Sequence, residues 1–151
     1  MRFQFVDRIE RIQKFKYIRG IKTISFEEGF LDSPTGESGC IPRTLIIECV
    51  AQLTSWLILY STDFVKFPLI AKIDEAVVES SVPCGTVLTL EATLELWNDE
   101  GALLNCVVHS QERFIAKGVR CVCTFIPVEQ LIESEEMKTR FKELTKDADV
   151  G

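Results

Sequence analysis

The stretch that decides the fold reads Pro42-Arg43-Thr44-Leu45-Ile46-Ile47-Glu48-Cys49-Val50-Ala51-Gln52-Leu53-Thr54-Ser55-Trp56-Leu57-Ile58-Leu59-Tyr60. Wound at 3.6 residues per turn, it carries apolar side chains on nearly every side, and such a helix is a buried one. Proline fits a first helical turn without losing a hydrogen bond, so the helix is expected to begin near Pro42. Ser61-Thr62-Asp63 should end it. The apolar run 44–60 falls short of the roughly 20 residues that span a bilayer. It also holds Glu48 and Gln52 near its middle, which lipid would penalise. These two are spaced i,i+4, and Ser55 lies one turn on, so the polar groups form a narrow stripe. A buried carboxylate needs a partner or a use. Two readings are open for Glu48: it is answered structurally, by a loop backbone, by Arg43 or by a lysine, or it carries chemistry.

Around this helix the pattern is that of strands. A strand-like segment starts at Phe3, Phe5 and Arg8-Ile9, and residues 12–25 are β-branched and aromatic, broken at Gly20, which suggests a hairpin or a bent strand there. Residues 30–42 are dense in turn formers. Beyond the helix, 69–79 is β-prone and Pro83-Cys84-Gly85 makes a turn. Leu88, Leu90, Ala92, Leu94 and Leu96 then alternate with polar neighbours as a half-buried strand. Asn98-Asp99-Glu100-Gly101 signals a hairpin, answered by strands over 103–113 and 115–125. After Pro127 the chain turns charged; Leu131, Met137, Phe141 and Leu144 give a short helix one apolar face. The fold class is therefore α+β, an antiparallel sheet wrapped around one long helix. The expected domain covers 3–126, with 127–151 as a charged tail.

Composition narrows the function classes. The 151 residues are 46% hydrophobic and 26% charged, a globular balance. At this length one domain buries roughly 70% of its unfolded surface. Seventeen Lys and Arg against 23 Asp and Glu leave a net charge of −6, and no basic cluster marks a nucleic-acid surface. The N-terminus lacks a secretory h-region, so a cytoplasmic protein away from membranes is expected. The cysteines at 40, 49, 84, 106, 121 and 123 sit mostly in apolar runs and read as reduced, buried thiols. Cys121-Val122-Cys123 is expected to send its thiols to opposite faces. His109 is the one histidine, which leaves metal and Ser/His/Asp chemistry without a ligand or base set. No metal or nucleotide cofactor is expected.

Two segments, Phe5-Val6-Asp7-Arg8-Ile9 and Leu45-Ile46-Ile47-Glu48-Cys49-Val50-Ala51-Gln52, resemble hallmarks of the bacterial (3R)-hydroxyacyl-acyl-carrier-protein dehydratases. The resemblance covers about residues 3 to 126 and implies the hot-dog fold of that family. It also implies a dimer, or a higher oligomer built from dimers, with an acyl tunnel ending at the helix glutamate between subunits. Glu48 and Gln52 match that glutamate and its glutamine. Pro42, Arg43 and Leu45, at the helix start, are the candidate substrate contacts, and the partner is acyl carrier protein or a coenzyme A thioester.

One hallmark is missing. The family's loop histidine lies fourteen residues before the glutamate, which is Pro34 here, although Glu28, Phe30 and Pro42 match the flanks. The family's glycine five before the glutamate is Arg43, which would crowd the place of the thioester oxygen. Dehydration needs both a base and an acid, and proline titrates nowhere. The resemblance thus implies acyl-thioester binding with reduced or lost dehydratase activity. The alternatives are a thioesterase that uses Glu48, or a non-catalytic partner of an active dehydratase. Asp32, Glu37 and Cys40 are the loop groups able to approach Glu48 from the partner subunit. Arg43, Lys66 and Lys72 are the cations an acidic carrier would meet, and His109 is expected to be a partly exposed strand residue.

Overall fold

The computed structural model describes residues 5–25, 39–79 and 82–151. Its main sheet has seven strands in the order β4-β8-β7-β6-β2-β1-β9. These are β1 (Arg8–Gln13), β2 (Tyr17–Thr23), β4 (Lys66–Val78), β6 (Val87–Trp97), β7 (Gly101–Ser110), β8 (Arg113–Pro127) and β9 (Asp149–Val150). Neighbours pair antiparallel, except β9, which runs parallel to β1. Two short strands, β3 (Cys40–Ile41) and β5 (Val82–Pro83), pair separately. The sheet wraps helix α1 (Arg43–Ser61), and the core lies between them, with Leu53, Trp56, Leu57, Leu88, Leu90 and Leu104 sealed from solvent.

The first hairpin turns elsewhere than expected. Lys14-Phe15-Lys16 makes the turn, with Phe15 at φ 57° and its amide donating to Ser61 Oγ at 2.8 Å. A helix hydroxyl, remote in sequence, thus helps fix a turn that carries no glycine or proline. Gly20 instead lies within β2, where a Cβ would come 2.6 Å from Leu53 Cδ1. Its missing side chain lets the helix approach the sheet.

Helix α1 is buried unequally along its length. From Gln52 to Leu59 every residue is buried, whereas Arg43, Thr44, Ile47 and Glu48 are exposed. The C-terminal segment supplies the cover. Helix α2 (Ser134–Leu144) buries Met137, Phe141 and Leu144. The Phe141 ring stacks on Tyr60 at 5.0 Å and meets Phe64 at 5.4 Å and Trp56 at 6.0 Å. Nothing comparable covers the N-terminal half among the described residues, and the edge strand β4 beside it exposes Leu69 and Ile70.

The strand alternation in β6 stops at a bulge between Leu94 and Leu96, which leaves Leu96 at 66% exposure. None of the six cysteines is in a disulfide. Cys121 and Cys123 do not face opposite ways: residues two apart on a strand share a face, and both sulfurs border one groove against α1.

Candidate active site

A local chain of hydrogen bonds holds Glu48. Gln52 Nε2 donates to Glu48 Oε1 at 2.9 Å, and the Phe5 backbone amide donates to Gln52 Oε1 at 3.2 Å. An amide N–H can only donate, so the orientation of the Gln52 carboxamide is set and its NH2 must face the carboxylate. The Phe5 segment is itself anchored. Asp7 accepts the Thr23 amide at 2.6 Å and lies 3.4 Å from the ammonium of Lys22, which is 4% exposed. The two segments that the sequence singled out, around Asp7 and around Glu48, thus meet through Phe5 and Gln52.

Glu48 and Gln52 border a cleft of about 230 Å³ with Ser55, Phe67, Pro68, Leu69, Ile70 and Cys123. Ala51, Thr54, Ile70 and Cys123 also line a narrower apolar groove, formed with Ile46, Ile47, Val50, Ile73, Cys106 and Cys121. The groove therefore continues from the carboxylate between helix and sheet. Its walls are almost wholly apolar, which suits a hydrocarbon chain, while the carboxylate and carboxamide at its mouth suit a polar head.

Pro42 caps α1, Arg43 is exposed in its first turn and Leu45 is half-buried. None of the three is among the described residues lining either cleft. Pro34, Asp32, Glu37 and the flanking Glu28 and Phe30 lie outside the described residues, while Cys40 pairs with Pro83 in the small sheet. Of the other cations, Lys66 donates to the Asp99 carbonyl at 2.8 Å and Lys72 pairs with Asp74 at 2.9 Å. Phe67, Pro68 and the Phe5 amide are the additions the structure makes. Phe67 and Pro68 precede the strand expected at 69, and a backbone donor leaves no mark in a sequence.

His109 stands apart from this site. It lies on the sheet face turned away from α1, with Nε2 3.0 Å from Glu91 Oε2 and Nδ1 3.2 Å from the Gln111 carbonyl. Tyr17 donates its phenolic hydrogen to the other Glu91 oxygen. Burial and that bond push the Tyr17 hydroxyl up to about 12. Burial alone would raise Glu91, but the hydrogen bonds from Tyr17 and His109 prevail and hold it below the ordinary carboxylate value. The histidine is thus a member of a three-strand polar ladder.

No protein-family model matches the chain. Among curated proteins it is similar to the 3-hydroxyacyl-[acyl-carrier-protein] dehydratase FabZ of Caldicellulosiruptor bescii. The two are 32% identical over 93 residues, 61% of this chain and 66% of that protein. The Clostridium tetani dehydratase of the same name is 26% identical over 114 residues, covering 75% and 80%. The match spans just under two thirds of the length of the Caldicellulosiruptor proteins. Among solved structures, the dehydratase heterocomplex ApeI:P from Xenorhabdus doucetiae superposes with TM-score 0.65 at 14% identity, over 91% of this chain and 90% of that one. The smu.793 protein of Streptococcus mutans bound to acetyl CoA gives 0.63 at 12%, over 80% and 88%. Sequence and architecture agree: the chain is similar to the 3-hydroxyacyl-acyl-carrier-protein dehydratases and has the hot-dog fold.

Proposed function

We propose that the chain binds acyl thioesters, on acyl carrier protein or coenzyme A, with the chain in the apolar groove and the thioester head at Glu48 and Gln52. The observation that carries this reading is Glu48 held by Gln52 at the mouth of a groove walled by Ile46, Ile47, Val50, Ile70 and Ile73. Dehydration of a 3-hydroxyacyl thioester takes a proton from C2 and gives one to the departing hydroxyl. Glu48 is the group placed to take or give a proton, and Pro34, at the family's histidine position, supplies none. A general acid or base contributes about 10²–10⁴-fold, so turnover is reduced by that order or lost.

The site is completed by a second copy, and the protein works in the cytoplasm as a homodimer or an assembly of dimers. The support is the exposed β4 edge beside the uncovered half of α1, where Leu69 is 42%, Ile70 45% and Ile47 37% exposed. A long apolar edge strand left open is a site of association.

The test is to incubate the protein with 3-hydroxydecanoyl-acyl carrier protein and to measure binding and products separately. The expected result is saturable binding that Gln52→Leu weakens, with enoyl formation at least about a hundredfold below an intact dehydratase. Full-rate enoyl formation would overturn the loss of activity, and failure to bind any acyl thioester would overturn the ligand. Release of free acid that stops in Glu48→Gln would replace the reading with a thioesterase.

A further inference from the structure

The groove carries a chemical feature that nothing in the proposed reaction uses. Three thiols, Cys106, Cys121 and Cys123, form its floor opposite Ile46, Ile47 and Val50. Two of them are brought together by irregular backbone. Between Leu104 and Cys106 the β7–β8 register shifts, so that the step from Leu104 to Cys106 faces the longer step from Cys121 back to Gly118. Arg120, inside that bulge, takes a left-handed conformation at φ 53°. It is braced on both sides: its amide donates to Asn105 Oδ1 at 2.9 Å, and its Nε lies 2.8 Å from Asp74 Oδ2. Bulges re-aim side chains, and this one turns Cys121 toward Cys106. Gly118 leaves the space they share, since a Cβ there would lie 3.0 Å from Cys121 Sγ and 3.9 Å from Cys106 Cβ. Thr54 Oγ1 closes the chain from the helix, 3.7 Å from Cys106 Sγ.

From this geometry we infer that Cys121 is a covalent capture site for long-chain α,β-unsaturated carbonyl compounds, whose hydrocarbon tail lies in the apolar groove. The inference goes beyond the acyl-thioester reading and rests on the groove alone, independent of any turnover at Glu48. The ligand class follows from two features. A thiolate is a soft nucleophile that prefers a polarised carbon–carbon double bond, and the walls that surround this one select an alkyl chain over a polar electrophile. The groove is narrow, with about 40 Å³ of room between helix and sheet, and is lined by apolar side chains almost throughout. The electrostatics agree with the geometry. The hydrogen bond from Cys106 lowers the Cys121 thiol against the opposing effects of burial and Asp74, whereas Cys106 itself is raised by the same contact and by burial. Burial also pushes Cys123 up to about 11, which leaves it protonated and less reactive.

The addition balances without an oxidant. The Cys121 thiol gives its proton to water, and the sulfur lone pair forms a C–S bond to the β-carbon. The π pair of the double bond shifts toward the carbonyl as an enolate, and the α-carbon then takes a proton from water. Nothing leaves; the product is a thioether that fills the groove.

The experiment treats the full chain with acrolein, trans-2-hexenal and trans-2-nonenal, reduces the adducts with borohydride and maps them by peptide mass spectrometry. The same aldehydes react with glutathione as the reference. The expected result is a first adduct on Cys121, with a rate relative to glutathione that rises at least tenfold from acrolein to trans-2-nonenal. Saturated decanoate should compete with it. Cys121→Ser should remove the adduct and Cys106→Ser should slow it at the same position, while Glu48→Gln should leave it in place. First labelling at the half-buried Cys40 or Cys84, or rates that track glutathione across the three aldehydes, would overturn the assignment. The wild-type series decides this even if a serine variant fails to fold.

Discussion

At the scale of single residues, two glutamates, one on the helix and one on a strand, are used differently. Glu48 is exposed on α1 and has its Oε1 held by Gln52, so its setting is a cleft with a polar mouth. Glu91 is tied between Tyr17 and His109 across three strands, a structural setting. Because the folded state holds Glu91 below its ordinary value of 4.5, its contribution has a definite sign. The ionised form is favoured by folding, so the stabilisation is fully present above that ordinary value. It is lost as pH falls through the lowered one. We predict that Glu91→Gln is less stable than the wild type at pH 7, by about 1–2 kcal/mol, from the hydrogen bonds to a charged acceptor that it weakens. Below about pH 4.5 the two urea midpoints should converge. Midpoints that stay apart in parallel across the acid range would show that the difference does not come from the charge on Glu91, and coincident midpoints at pH 7 would show that the ladder adds no stability.

At the scale of elements, α2 decides how a helix with apolar residues all round can exist in a chain this short. One concave sheet covers one side of α1, and the remaining side of its C-terminal half is covered by Met137, Phe141 and Leu144. Phe141 is the centre of that cover, with three aromatic rings of α1 and the turn after it within 6.0 Å. We predict that Phe141→Ala destabilises the fold by about 3–5 kcal/mol, the usual cost of removing a buried aromatic. An unfolding free energy within about 1 kcal/mol of the wild type would mean that α2 only rests on the surface. The apolar spacing of Met137, Phe141 and Leu144 was legible in the sequence; where that face docks was not, because it depends on which side of α1 the sheet leaves open. The same limit explains the first hairpin. Its turn at Phe15 is set by Ser61, 46 positions away, while local composition pointed to Gly20. Glu48, Gln52 and the strand beside them were legible because helical spacing fixes a polar stripe without outside help. The Phe5 amide that orients Gln52 was not, since every residue but proline has one.

At the scale of the whole molecule, the two margins of the sheet are treated differently, and this bears on assembly. Beyond β1, the β9 strand occupies the outer edge, with the Gly151 amide donating to the Ile12 carbonyl at 2.9 Å. At the other margin β4 offers thirteen residues, with Leu69 and Ile70 exposed. Among the described residues that edge is open and adjoins the uncovered side of α1, where Ile47 and Glu48 lie; Ile70 lines the apolar groove with Ile47 and the cleft at its mouth with Glu48. A second copy paired along β4 would cover the exposed apolar groups of strand and helix together and would close the cleft from its solvent side. Dimerisation and acyl binding should therefore fail together. We predict that Ile70→Lys raises the dimer dissociation constant at least about tenfold, or roughly 1.4 kcal/mol, by placing a charge in an apolar contact. Light scattering after gel filtration at micromolar concentration reads this directly, and acyl-thioester binding should weaken in step. Arg8→Ala, at the β1 side where β9 takes the edge, should leave both unchanged. A wild-type monomer at those concentrations, or an Ile70→Lys dimer of undiminished affinity, would move the association surface away from β4.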